Sequence, residues 1–196
     1  MGERLLIEII KDDRLLANAY YHWGGYTSSS FEITNTIINN IDRIDASNDV
    51  LYAVRLLETT GALLKETEIE EMEAFAKGEK FDPAANRNDG LIAVSDEGKD
   101  DLGFWADALV EIDLDKKIVK LDVFEELDKE DFFESFGNAK EQYEKMPVAK
   151  ETDYKVIPFD KFNAVAEEIF KMLDNHIYGI RLENGDVLQL YEPSYE

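Results

Sequence analysis

Residues 108–124 read ALVEIDLDKKIVKLDVF, and this stretch decides the fold class. Val110, Ile112 and Leu114 alternate with Glu111, Asp113 and Asp115, and Val119, Leu121 and Val123 alternate with Lys120 and Asp122. A period of two marks a strand with one buried and one wet face. Two such runs around Lys116-Lys117 predict a hairpin. A turn centred on the lysines sets Leu114 against Val119, Ile112 against Leu121 and Val110 against Val123. The same register sets Asp113 against Lys120, a favourable pair, and Glu111 against Asp122, an unfavourable one.

Two further hairpins lie outward from it. Residues 4–22 hold two β-rich runs around Asp12-Asp13, with Leu5, Ile7 and Ile9 on one face and Leu6 and Ile10 on the other, as in a strand covered on both sides. Residues 177–191 fold back at Asn184-Gly185, the strongest turn signal in the chain. Helical periodicity fills the gaps. Ser29 and Glu32 make a capping-box pattern ahead of Phe31, Ile37, Ile38, Ile41 and Ile44. Asp49 is placed to cap a second helix through Leu64, and Thr67 with Glu70 to open a short acidic one ending near Lys77. Asp128 is placed to cap a helix or broken helix over 127–146, and Phe162, Val165, Ile169 and Leu173 form one stripe of a helix over 160–175. A strand is expected over Tyr154–Phe159. Hairpins separated by helices predict an α+β fold. Its sheet is largely antiparallel, built from hairpins 4–22, 108–124 and 177–191, with helices packed on one face. We read 1–196 as a single domain, with the loop at 78–90 as the one place where a sub-boundary fits.

The 196 residues carry 21 Lys and Arg against 44 Asp and Glu, a net charge of −23. With 44% hydrophobic residues the chain still has material for a core, which excludes wholesale disorder. Such a charge repels phosphate backbones and anionic membranes, and no basic patch offsets it, so neither direct nucleic-acid binding nor membrane binding is expected. The attracted partners are basic proteins, cations, or surfaces that normally hold nucleic acid. The absence of cysteine excludes disulfides, zinc thiolates and thiol catalysis. Met1 to Ile10 shows neither a signal peptide nor a membrane span, so the expected location is cytoplasmic.

Chemistry-bearing motifs are few, and no catalytic set, resident metal or cofactor is expected. His22 and His176 are the only histidines, and neither falls in a metal or triad spacing. The run Tyr20 to Ser30 ends a strand, turns at Gly24-Gly25 and opens a helix. It reads as a small-molecule corner at His22–Tyr26 or as a packed β-to-α junction. Arg87 is the only arginine between Arg55 and Arg181, so it is a candidate partner contact or a turn residue. Asp89, Glu97 and Lys99 loosely match a metal-nuclease spacing. With Glu111 and Asp113 the two acids make a divalent-metal hydrolase the alternative function.

The acids themselves form two runs. Glu66, Glu70 and Glu73 share a helical stripe with a rise of about 6 Å per four residues, close to the spacing of successive phosphates. Asp122, Glu125, Glu126, Asp128, Glu130, Asp131 and Glu134 follow with only Lys129 among them. Repulsion this dense costs stability, so it reads either as a working field or as plain solubility. Tyr21, Trp23 and Tyr26 are candidate aromatic anchors beside the acids.

At Tyr21-His22-Trp23-Gly24-Gly25-Tyr26-Thr27 and Arg87-Asn88-Asp89-Gly90 the chain resembles an uncharacterised family of small acidic phage and mobile-element proteins. In size and acidity it is also similar to anti-CRISPR inhibitors, which implies a non-enzymatic antagonist occupying the nucleic-acid site of a partner such as a Cas9-type nuclease. The expected contact residues are Glu66, Glu70, Glu73, Glu111, Asp113, Asp122, Glu125, Glu126, Asp128, Asp131, Tyr21, Trp23, Tyr26 and Arg87.

Overall fold

The computed structural model describes residues 3–64, 90–94, 106–135 and 137–192. In chain order these form β1 (Leu5–Lys11), β2 (Arg14–Tyr21), α1 (Thr27–Ile38), α2 (Asp49–Glu58), β3 (Leu63–Leu64), β4 (Leu91–Ala93), β5 (Ala108–Asp113), β6 (Ile118–Asp122) and β7 (Phe124–Leu127). They continue as α3 (Lys129–Ser135), α4 (Ala139–Lys145), β8 (Val148–Ala149), α5 (Thr152–Lys155), β9 (Val156–Pro158), α6 (Phe159–Asp174), β10 (Gly179–Leu182) and β11 (Val187–Leu190). The fold is α+β, and its sheets are largely antiparallel.

Seven strands form one sheet in the order β3-β4-β2-β1-β5-β6-β9, and four form a second in the order β7-β11-β10-β8. The 4–22 and 108–124 hairpins join through a parallel β1–β5 pairing that sets Ile7 beside Val110 and Ile9 beside Ile112. The 177–191 hairpin lies in the second sheet, flanked by β7 and β8. β1 is buried on both faces, as its double apolar pattern predicts. Helices α1, α2 and α6 cover the face carrying Leu5, Ile7 and Ile9, bringing Phe31, Leu56, Leu57, Phe162 and Ile169 into one core. Phe31 stacks on Phe162 at 5.6 Å between ring centres. A smaller cluster of Phe132, Ala139, Tyr143, Met146 and Val187 seals α3 and α4 on the second sheet. Among the described residues no helix is long and apolar enough to cross a membrane.

Turn chemistry fixes the two large hairpins. Asp12 and Asp13 both take positive φ, 53° and 54°, as a two-residue turn between right-twisted strands demands. The β5–β6 hairpin departs from its expected register by two residues. Val110 faces Leu121 and Ile112 faces Val119, so Leu114 lies in the loop. The reason is Asp113, whose Oδ1 accepts from the backbone N–H groups of Asp115 and Lys116 at 3.1 and 2.9 Å. That side chain closes a four-residue loop, and Lys117 leaves it at φ 52°. An even shift keeps every side chain on its expected face. It also replaces the unfavourable pair: Glu111 now faces Lys120, and Asp122 faces Leu109.

Two helix starts differ as well. α1 begins at Thr27, with Ser29 and Glu32 inside it and no side-chain cap from Tyr26. Its first turn is bound by the distant Glu192, which accepts from the Ser28 N–H at 2.6 Å and the Ser28 hydroxyl at 2.7 Å. α2 is capped by Asn48 rather than Asp49, through the Leu51 N–H at 2.9 Å. Tyr154 belongs to the helical turn α5, and the strand begins only at Val156.

Candidate interaction surface

The exposed acids of 122–134 are set by the junction of the two sheets. β6 ends at Asp122, Val123 is buried, and the chain passes into β7 at the edge of the second sheet. Alternation then turns Phe124 inward and Glu125 outward. Asp128 Oδ1 accepts from the N–H groups of Glu130 and Asp131 at 2.9 and 2.8 Å, so α3 starts here as the sequence predicts. Glu130 and Asp131 occupy its first turn, where the helix dipole favours negative charge. Phe132, fully buried, ties the helix down.

The cations nearby leave most of these acids open. Lys129 lies over the Tyr143 and Phe133 rings at 5.3 and 5.6 Å. Lys155 is shared between Glu126 and Glu151. Asp122, Glu125, Glu130, Asp131 and Glu134 are all exposed, and the ion pairs among the described residues leave each of them unpaired.

A cleft of about 260 Å³ opens at the upstream end of this run, lined by Glu3, Asp107, Asp122, Glu125, Phe124 and Tyr191. Beside it, Thr27 ties two of its segments together. Its hydroxyl donates to the Val123 carbonyl at 2.6 Å and accepts from the Tyr191 N–H at 2.8 Å, while its own N–H donates to the Tyr191 carbonyl at 2.8 Å. Gly25 lets the chain pass, since a Cβ there would sit 2.8 Å from the Arg4 nitrogen and 2.9 Å from its carbonyl oxygen. The Tyr191 hydroxyl donates to Glu3 at 2.7 Å, and that bond first, then burial, pushes the phenol up to about 12. Tyr26 stacks on Tyr191 at 5.7 Å.

The predicted contact residues separate accordingly. Asp122, Glu125, Glu126, Asp128 and Asp131 fall on this surface, with Asp128 spent as a cap and Glu126 paired. Tyr26 borders it through Tyr191, and Trp23, 37% exposed, packs edge-on against His22. Tyr21 is not an anchor. It is 1% exposed, on the core face of β2, and hydrogen-bonded to Thr60 at 2.7 Å. Asp113 is likewise turned inward, 3% exposed, and Glu111 is held by Lys120 at 2.6 Å. The His22–Tyr26 corner is packed at its glycines: a Cβ on Gly24 would meet Tyr21 Cβ at 2.8 Å. Glu66, Glu70, Glu73, Arg87, Asp89, Glu97 and Lys99 lie outside the described residues. Glu3, Asp107 and Tyr191 escaped the sequence reading, because a cleft gathered from five distant segments leaves no local pattern.

Comparison with family models, curated proteins and solved structures yields no match to this chain.

Proposed function

We propose that the protein is a non-enzymatic antagonist that docks its β6–β7–α3 edge onto a basic, nucleic-acid-binding surface of a partner protein. The observation that carries this is the set of five exposed carboxylates, Asp122, Glu125, Glu130, Asp131 and Glu134, none paired with a cation. On the large sheet, by contrast, Lys11, Lys116 and Lys120 each hold a neighbouring acid, at Lys11–Asp49, Lys116–Asp113 and Lys120–Glu111. A field left open over one edge attracts cationic side chains and speeds encounter with a basic surface. The adjoining cleft supplies depth, with Glu3, Asp107, Asp122 and Glu125 around a floor that includes Phe124. One arginine or lysine stem fits there, its charged head among carboxylates and its methylenes on the ring. Trp23 and Tyr26 remain as candidate aromatic contacts beside it.

The test is competition. A Cas9-type nuclease, the partner class the resemblance implies, is loaded with labelled duplex and titrated with the protein at 50 and 200 mM salt. Displacement that weakens with salt is expected, with loss of at least tenfold in affinity for the triple variant Glu125→Lys, Glu130→Lys, Asp131→Lys. Failure to displace nucleic acid from this or any other basic partner, or displacement indifferent to the triple reversal, overturns the reading.

A further inference from the structure

The β5–β6 ladder stops short of β7. Leu109 pairs with Asp122, and the next hydrogen-bonded rung in that register would set Asp107 against Phe124. That rung does not form. The Asp107 N–H donates instead to the Arg4 carbonyl at 2.9 Å, and Asp107 Oδ2 accepts from the Arg4 N–H at 3.0 Å. The start of β5 is thus tied to β1, and the cleft of about 260 Å³ is lined by both Asp107 and Phe124.

Main-chain direction decides what β7 offers on that side. The Leu190 N–H donates to the Tyr178 carbonyl and the Leu182 N–H to the Asp186 carbonyl, so Leu188 and Leu190 point their main-chain groups at β10. Alternation then points those of Val187 and Gln189 at β7, where they meet Leu127 and Glu125. Phe124 and Glu126 are left with N–H and C=O groups aimed away from β11. Among the described residues no strand lies beyond β7, and none of the turn or loop hydrogen bonds takes these groups. Lys155 holds the Glu126 carboxylate, not its main chain. Protein edges are commonly guarded by charge. Here the guards are Glu125 and Glu126, of one sign, so a second copy of this chain would set like charges against each other. A basic strand would not.

We propose that an extended basic segment of the partner adds to β7 as a fifth strand of the second sheet. It bonds the main-chain groups of Phe124 and Glu126 and sets a lysine or arginine beside Glu125. Main-chain bonds supply affinity in this mode, and alternate side chains choose the partner. The basic character of the segment rests on the antagonist reading, whereas the open main-chain groups do not depend on it. The register has a consequence for the incoming strand. A residue beside Glu125 points its own N–H away from β7, and its two neighbours point theirs at Phe124 and Glu126.

A labelled peptide alternating lysine and valine, titrated into the full chain by fluorescence anisotropy, tests it. N-methylation of the valines, which keeps every charge, is expected to lower affinity at least tenfold, and N-methylation of the lysines to leave it within about threefold. In the free protein the Phe124 and Glu126 amides exchange their hydrogens quickly and those of Glu125 and Leu127 slowly, and the peptide slows the first pair. Glu126→Pro removes one outward N–H and lowers affinity at least tenfold, while Glu126→Gln stays within about threefold. Should the proline variant fail to fold, the two methylated peptides decide. Equal binding by the valine-methylated peptide, or slow exchange at Phe124 and Glu126 without peptide, overturns strand addition. Displacement of nucleic acid from the Cas9-type nuclease that persists with Glu126→Pro also overturns it and leaves the antagonism standing. Valine-sensitive peptide binding without any displacement of nucleic acid upholds the strand addition and removes the antagonism.

Discussion

Two acidic runs that look alike in sequence end up as electrostatic opposites. In 111–115, Glu111 is paired with Lys120, Asp113 is buried under Lys116, and Asp115 accepts from the Asp12 N–H of the neighbouring turn. In 122–134, five carboxylates stay exposed with no cation beside them. The parallel β1–β5 pairing makes the difference. It brings the two hairpin turns together at one end of the sheet, where Lys116 reaches both Asp13 and Asp113. At β7 the lysine of α5, Lys155, holds only Glu126, and the lysine inside the second run leans onto rings. Net charge counts both runs equally. The field that a partner meets does not.

The widest separation between the two runs lies in partner binding. Reversing Glu125, Glu130 and Asp131 to lysine is expected to cost at least tenfold in affinity, while Glu111→Gln with Asp115→Asn stays within about twofold, because that charge is already locally neutralised. Equal losses in fluorescence competition would mean that overall charge, not the open edge, drives binding.

Stability should invert the ranking. Asp113→Ala removes the acceptor of two turn N–H groups and of the Lys116 ammonium, and a loss of about 2–3 kcal/mol is expected in urea unfolding. Glu130→Gln, on the open run, stays within about 0.5 kcal/mol. An Asp113→Ala variant as stable as the parent would show that the turn closes without its carboxylate.

Acid titration sharpens the same contrast. Burial disfavours the charged form of Asp113, but the Lys116 N–H, the Lys116 ammonium and the Asp115 N–H outweigh it, and the carboxyl lies below its ordinary value. A depressed acid contributes stability that is complete above its unfolded pKa of about 3.9 and is lost as pH falls toward the folded value. The difference in stability between parent and Asp113→Asn should therefore shrink between about pH 5 and pH 3. A difference constant over that range would remove Asp113 from the acid response.

How far these features could be read in advance depends on how local their causes are. The turns at Asp12-Asp13 and Asn184-Gly185, the Asp128 cap and the α6 stripe are written in adjacent residues, and each lies where the sequence places it. The β5–β6 register was missed by two because alternation fixes which face a residue takes but not how long the loop is. That length is set by one aspartate folding onto its own turn. The division into two sheets and the β1–β5 pairing are long-range choices without a pattern in either strand. Tyr21 was misread because an aromatic run at a strand end resembles a surface anchor, whereas alternation from Ala17 and Ala19 turns it into the core. α1 shows the same limit: its first turn is held by Glu192, beyond any local capping rule.

The smallest effect concerns Lys129, the single base within the open run. Its ammonium lies over the rings of Tyr143 and Phe133, so it counts as positive charge while standing apart from the carboxylates around it. Lys129→Met keeps an apolar stem on the rings and removes the cation–π attraction, an expected loss of about 0.5–1 kcal/mol. Affinity for a basic partner should rise by no more than about threefold, since an exposed, solvent-screened charge contributes weakly. Lys155→Met provides the reference, because it releases Glu126 and Glu151 from a true ion pair and adds usable negative charge at the same edge. Its gain should exceed that of Lys129→Met. The reverse order, measured in the same competition assay, would mean that Lys129 neutralises the run after all and that the two acidic segments differ in degree rather than in kind.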